Sequence, residues 1–270
     1  MGKKKKKTKI YPEILSLPRV GIDTHAHLSM SKLEELPSII ERALFCGISK
    51  IGNVFLSSTE YYQYRDFFSN YPIFFILGIH PHDASKVNNQ EIENIKKIIL
   101  EDRNVKALGE VGLDYYYNFS SPQEQKKILE VQLSIAKDLD IPVVIHSRDA
   151  KEDTFSILKN FNLSRVLFHC FSYGKEEAKK VLEEGWLLSY SGALTFTKNI
   201  NLQEVAKYVP LESVVLETDS PYLTPMPYRG KTNQPAYMLF TAYALSKIIK
   251  KDVLSVWEQT AKNSRLFFNL

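Results

Sequence analysis

Residues 22–30 read IDTHAHLSM and set two of the chain's six histidines, His25 and His27, two positions apart just after a short apolar run. In extended backbone, side chains at i and i+2 project to the same side. His25 and His27 can therefore direct two imidazoles at one point, which is how a metal site begins. Alone, such a pair is more often two solvated or hydrogen-bonded histidines than a metal site. The reading turns on whether the rest of the chain supplies further ligands, and it does so in a regular place. GIHPH carries His80 and His82, ALGEVGLD carries Glu110, VVIHSR carries His146, LFHCF carries His169, and LETDSPY carries Asp219. Each lies in or at the end of a short apolar run. A lone histidine there is usually structural and a lone glutamate usually salt-bridged, but those readings do not account for the coincidence of all of them.

Four imidazoles (His25, His27, His146, His169) and two carboxylates (Glu110, Asp219) suffice for two divalent ions if one carboxylate is shared. Mixed nitrogen and oxygen ligation suits Zn, Mn, Fe or Co and admits Mg. Two such ions about 4 Å apart can generate a nucleophile from water and stabilise both oxygens of a displaced phosphodiester.

The elements that must position these residues alternate. The runs RVGID (19–23), KIGNVFL (50–56), PIFFILGI (72–79), VKALGEVGL (105–113), PVVIH (142–146), RVLFHC (165–170), WLLSYSG (186–192) and SVVLETD (213–219) read as buried strands. Between them lie helical patterns such as SPQEQKKILEVQLSIAKDLD, with Ser121 as N-cap, Pro122 at the first helical position and Glu124 two residues on. KEEAKKVLEEG and NLQEVAKYV continue the series, and a long helical stretch from Pro235 closes it. Alternation implies a parallel sheet, and eight units in about 250 residues match an α/β (β/α)8 TIM barrel, whose active sites form at the strand C-termini. An open doubly wound sheet is the structural alternative. The lack of a G-x-G-x-x-G or Walker pattern weakens a nucleotide-fold reading.

Composition bounds the rest. The chain is 44% hydrophobic and 24% charged, ordinary for a globular protein. Its formal charge of +4 is misleading: Lys3, Lys4, Lys5, Lys6, Lys7 and Lys9 carry six positive charges, so the remainder is at −2. Residues 1–18 are expected to form a basic, disordered tail and residues 19–270 a single hydrolase domain. A solubilising role is the plain reading of the tail; a phosphate-binding arm or a nuclear address is the alternative. Because the tail precedes strand 1, it is expected at the N-terminal face of the barrel, opposite the site. The body is not a basic nucleic-acid surface, so any polyanion chemistry must be local. No run of 18 apolar residues suggests a membrane span. Cys46 and Cys170 form no C-x-x-C, and a reducing cytoplasm is the expected location.

With these motifs assembled, the chain resembles the TatD family of metal-dependent nucleases, within the amidohydrolase-like barrels. The resemblance runs from about residue 20 to 268 and rests on IDTHAHL, GIHPH, ALGEVGLDYYY, QLSIAKDLDIPVVIHSRDA, LFHCFS, SGALTF, LETDSPYL and PYRGKTNQPAY, in family order. It implies one metal on His25, His27, Glu110 and Asp219, and a second on Glu110, His146 and His169. His80, His82 and Arg148 would line the substrate phosphate site. HAH stands where many members have HCH, which keeps both imidazoles. Tyr173 stands where a small residue is common, and would narrow the groove. Where related barrels bridge two metals with a carboxylated lysine on strand 4, this chain has Glu110.

The implied activity is hydrolysis of phosphodiesters in single-stranded DNA or RNA, as a 3′–5′ exonuclease, with Glu110 and Asp219 catalytic. The metals would be Mg, Mn or Zn. A D-aminoacyl-tRNA deacylase using the same site is the alternative, and a non-catalytic barrel is disfavoured by the intact ligand set. Arg229 and Lys231 could contact phosphate or stack on a base, or lie on a solvated loop. The DYYYN run (114–118) could supply a stacking platform or pack its loop to the barrel.

Overall fold

The computed structural model describes residues 10–117 and 119–270. Eight strands run in chain order around one sheet, all neighbours parallel: β1 (Gly21–Ala26), β2 (Ile48–Phe55), β3 (Ile73–Leu77), β4 (Val105–Asp114), β5 (Val143–Arg148), β6 (Val166–Phe168), β7 (Leu187–Tyr190) and β8 (Val214–Leu216). The first and last strands meet. Ala26 bridges Ser220, the Asp219 amide donates to the His25 carbonyl at 2.9 Å, and the Thr24 hydroxyl donates to the Leu216 carbonyl at 3.0 Å. The sheet is a TIM barrel, as expected.

The helices are α1 (Leu36–Phe45), α2 (Ser58–Phe68), α3 (Asn89–Glu101), α4 (Pro122–Leu139), α5 (Lys151–Phe161), α6 (Lys175–Glu183), α7 (Ile200–Tyr208), α8 (Met238–Ile249) and α9 (Val253–Phe268). The sequence signal for α4 is realised: Ser121 and Glu124 form a reciprocal capping box with Pro122 at the helix start. No helix among the described residues is long and apolar enough to cross a membrane.

Two apolar layers hold the barrel. Inside it, Ile22, Val54, Phe74, Ile76, Ala107, Val144, Leu167 and Val215 form a core that Phe267 and Phe268 of α9 join. A larger layer packs the outward strand faces against the helices. This is the filled interior of a barrel whose useful surface is one end.

Two irregularities aim site residues. Between β1 and β2 the register passes from Asp23↔Ile51 to Ala26↔Asn53, leaving one extra residue on β1 around His25. Between β4 and β5 it passes from Leu108↔Val143 to Val111↔Ile145, leaving one extra on β4 around Glu110. Such bulges re-aim side chains. The close approach of these strands requires glycine at 112, where φ is +149° and a Cβ would lie 1.8 Å from the His146 carbonyl oxygen.

The N-terminal 18 residues are described only in part. Residues 1–9 lie outside the described residues, but Pro12–Leu15 form a short 3-10 turn with Pro12 buried, Leu15 and Leu17 packed on the core, and Glu13 ion-paired to Arg42 at 2.5 Å. Packing therefore begins well before the boundary drawn at residue 18, because Leu15 and Leu17 have an apolar surface to cover. The chain then leads toward the loop after β8, where the Tyr228 hydroxyl donates to the Ile10 carbonyl at 3.0 Å. The lysines at positions 3–7 and 9 lie outside the described residues, and with them the expected placement of the tail opposite the site.

Candidate metal centre

At the strand C-termini the structure gathers every histidine of the chain. Glu110 lies at their centre, 3% exposed. Five imidazole nitrogens surround its two oxygens. His25 Nε2 and His27 Nε2 approach Oε2 at 3.3 and 3.5 Å; His146 Nδ1, His169 Nε2 and His80 Nε2 approach Oε1 at 2.5, 2.6 and 3.6 Å. Asp219 reaches in from the loop after β8, with Oδ1 3.5 Å from His27 Nε2. Its φ is +56°, a conformation that Asp and Asn tolerate better than most residues.

The sixth histidine, His82, is one shell out. Its Nε2 lies 2.9 Å from Asp114 Oδ2, and His146 Nε2 lies 3.1 Å from the same oxygen. All six predicted ligands therefore converge. The grouping differs in two respects: His80, expected to face substrate, shares ligand reach with Glu110 and His146, and His169, expected beside those two, shares it with His25 and Asp219.

The electrostatics suit a cation. Burial opposes the ionised form of Glu110, but His169, His80 and His146 hold its carboxyl well below the usual carboxylate range. Burial holds His25 below, and His80 down to about 4, so both rings keep free lone pairs at neutral pH. Against burial, Glu110 and further carboxylates hold His146 and His169 above the ordinary imidazole value. A metal entering there must displace protons.

His25 supplies the test of fit. It is fully buried, and neither ring nitrogen makes a hydrogen bond among the described residues. A buried unpaired polar group costs roughly 1–3 kcal/mol, and a divalent ion on Nε2 would remove that penalty at one of the two nitrogens. The donor set of imidazoles and carboxylates is one that Zn or Mn accepts.

Sequence reasoning missed three carboxylates behind this shell. Asp114, 1% exposed, uses Oδ2 for His82 and His146, while Oδ1 accepts the Tyr116 and Tyr117 amides at 2.9 and 3.1 Å. Glu217, fully buried, lies 3.6 Å from His169 Nδ1 and accepts the Cys170 amide at 2.7 Å. Asp114 bonds the far nitrogen of the ligand imidazole His146, the arrangement that fixes ring orientation in metal sites, and Glu217 faces that of His169 from 3.6 Å. Asp23, whose carboxyl burial pushes up to about 8, ties β1 to β8 through the Thr218 amide and hydroxyl at 2.9 and 2.6 Å. The available signal was an acidic residue inside an apolar strand close to a ligand, in IDTHAH, GLDYYY and LETD.

Of the predicted substrate residues, Arg148 and Arg229 are exposed. Arg148 lies 3.8 Å over the Tyr116 ring, and Arg229 lies 4.1 Å over Phe196. Neither has a carboxylate partner among the described residues. Tyr173 bonds the Ser147 hydroxyl at 2.8 Å, at the end of β5.

A family profile described as TatD related DNase matches residues 22–269. The uncharacterized metal-dependent hydrolase BU355 of Buchnera aphidicola is 34% identical over 92% of this chain and 99% of its own length. YabD of Bacillus subtilis, likewise an uncharacterized metal-dependent hydrolase, is 32% identical over 92% of this chain and 98% of its own. The crystal structure of YjjV, a TatD homolog from Escherichia coli K12, matches with a TM-score of 0.89 and 25% identity, over 93% of this chain and 99% of that one.

Proposed function

The chain belongs to the TatD family of metal-dependent hydrolases, and from that premise we propose that it cleaves phosphodiester bonds in single-stranded DNA or RNA, in the cytoplasm, with about two divalent ions of Mg, Mn or Zn. The observation that carries the reading is Glu110: one buried carboxylate ringed by five imidazole nitrogens within 3.6 Å, at the barrel end where unpaired arginines stand. His25, His27, Glu110 and Asp219 would hold one ion, and Glu110, His146 and His169 the other. When bound, the ions supply Lewis-acid charge against phosphate oxygens and a more acidic water.

The chain's own side chains do the rest. Asp219, partly open to solvent, accepts the proton of the attacking water. Arg148 and His82 hold the non-bridging oxygens of the phosphate, and Arg229 meets the strand farther out. A guanidinium without a carboxylate partner is a ready phosphate ligand. Stepwise removal from the 3′ end is the mode that the family resemblance suggests.

The test is a side-by-side assay of labelled single-stranded DNA, RNA and a D-aminoacyl-tRNA, each with Mg, Mn or Zn and with chelator. Mononucleotide release from the 3′ end of the first two supports the reading. Ester cleavage of the charged tRNA alone would replace it.

A further inference from the structure

We propose that Tyr116, Tyr117 and Phe119 form a platform on which the unpaired bases next to the cleaved bond stack, so that the enzyme selects single-stranded substrate by base faces and not by base identity. This deepens the phosphodiesterase reading and rests on it. The three tyrosines after Asp114 do not share one fate. Tyr115 is half-buried against the core and its hydroxyl bonds Asp153 at 2.6 Å. Tyr116, Tyr117 and Phe119 are 57%, 41% and 61% exposed. Packing therefore explains the first ring and not the other three.

Those rings continue the site outward. His82 lies with its ring centroid 6.3 Å from that of His146, 5.4 Å from Tyr117 and 4.9 Å from Phe119. Tyr117 stacks on Phe119 at 5.4 Å and 26°, and meets Tyr116 edge-on at 4.8 Å. The guanidinium of Arg148 lies over Tyr116 at 3.8 Å and 5.0 Å from the Tyr117 centroid. A ligand matching this surface carries flat rings and, beside them, negative charge. Unpaired nucleotides have both, since each base offers a π-face and each linkage a phosphate. Paired bases do not, because their neighbours already cover their faces.

Asp114 couples the two parts. Its Oδ1 accepts the amides of Tyr116 and Tyr117, and its Oδ2 meets His82 and His146. The platform is thereby held at a fixed place relative to a ligand of the metal centre. The same bonds consume the main-chain donors of Tyr116 and Tyr117, which removes them from reading base edges. The expected consequence is tolerance of sequence.

The test compares a thymidylate oligonucleotide with an abasic oligomer of the same length and charge, in Mn, for wild type, Tyr117→Ala, Tyr117→Phe and Phe119→Ala. We expect Tyr117→Ala and Phe119→Ala to raise KM on thymidylate at least about fivefold more than on the abasic oligomer, with the loss in KM and not in kcat. Tyr117→Phe should restore wild-type KM. Equal losses on both oligomers, or no loss on either, overturn the platform. If wild type cleaves neither oligomer, the nuclease reading fails, and the platform is judged by fluorescence anisotropy on the same pair. Thymidylate binding at least about fivefold tighter than abasic, with the difference erased in Tyr117→Ala, sustains it; equal affinity ends it.

Discussion

Asp114→Asn should weaken metal binding without disturbing the fold. The carboxylate makes contacts of opposite tolerance. At Oδ1 it accepts two amides, from Tyr116 and Tyr117, which can only donate. The single oxygen of an asparagine must therefore stay on that side, and its NH2 group is forced toward His82 Nε2 and His146 Nε2, which now lie 2.9 and 3.1 Å from Oδ2. In the wild type, burial pushes the Asp114 carboxyl up, but the bond to His146 and the Tyr117 amide, with His146 and His82, hold it well below the usual carboxylate range. It therefore accepts the Nε2 proton of His146, so that the proton on Nδ1 is the one lost when a metal takes that nitrogen as ligand. The asparagine NH2 demands a lone pair on Nε2 instead, which puts the proton on Nδ1, the nitrogen needed as ligand. Loss of such a carboxylate behind a ligand histidine typically costs 10–100-fold in metal affinity or activity. Competition titration of Mn or Zn against a chromophoric chelator should read a loss of about that size, with the circular dichroism spectrum unchanged. Wild-type affinity in the Asn variant would refute the tautomer argument.

Asp219→Asn, which suits the φ of +56°, should fold normally and bind oligonucleotide in excess Mn, yet lose at least about a hundredfold in single-turnover rate; an unchanged rate would remove Asp219 as the base. Deleting residues 2–9 should leave turnover on a dinucleotide unchanged, while the salt dependence of binding to long single strands shallows by about 0.7 per lost phosphate contact; a tenfold loss on the dinucleotide would contradict this. Gly21→Ala would place a Cβ 2.0 Å from Trp257 Cζ2 under the barrel, so overpacking of about 1–3 kcal/mol should lower Tm by several degrees in a melting curve, and an unchanged Tm would mean that α9 can shift freely.

The alternation of strand and helix was legible because buried parallel strands read as short apolar runs and the helices carry their own caps, as Ser121, Pro122 and Glu124 do. The ligands were legible because an ionisable group at the end of an apolar run has few structural uses, and six histidines shared that place. What escaped was what depends on register and on chain segments distant in sequence. Asp114 shows its role only once β4 is set beside β5, and Glu217 only once the end of β8 is brought round to the end of β6, two strands away. The extra residues in β1 and β4 that aim His25 and Glu110 leave no mark on apolar periodicity. The packing of Pro12–Leu15 escaped because adjacency to strand 1 says nothing about the direction in which that turn packs, which Tyr228 and Arg42 decide.

The central claim is that Glu110 organises the metal centre. Elemental analysis of protein purified without chelator, wild type beside Glu110→Ala, tests it most directly. The account predicts about two divalent ions per chain in the wild type and near-complete loss in the variant, with a cooperative melting transition retained in both. Two tightly held ions in Glu110→Ala, together with full activity, would contradict it.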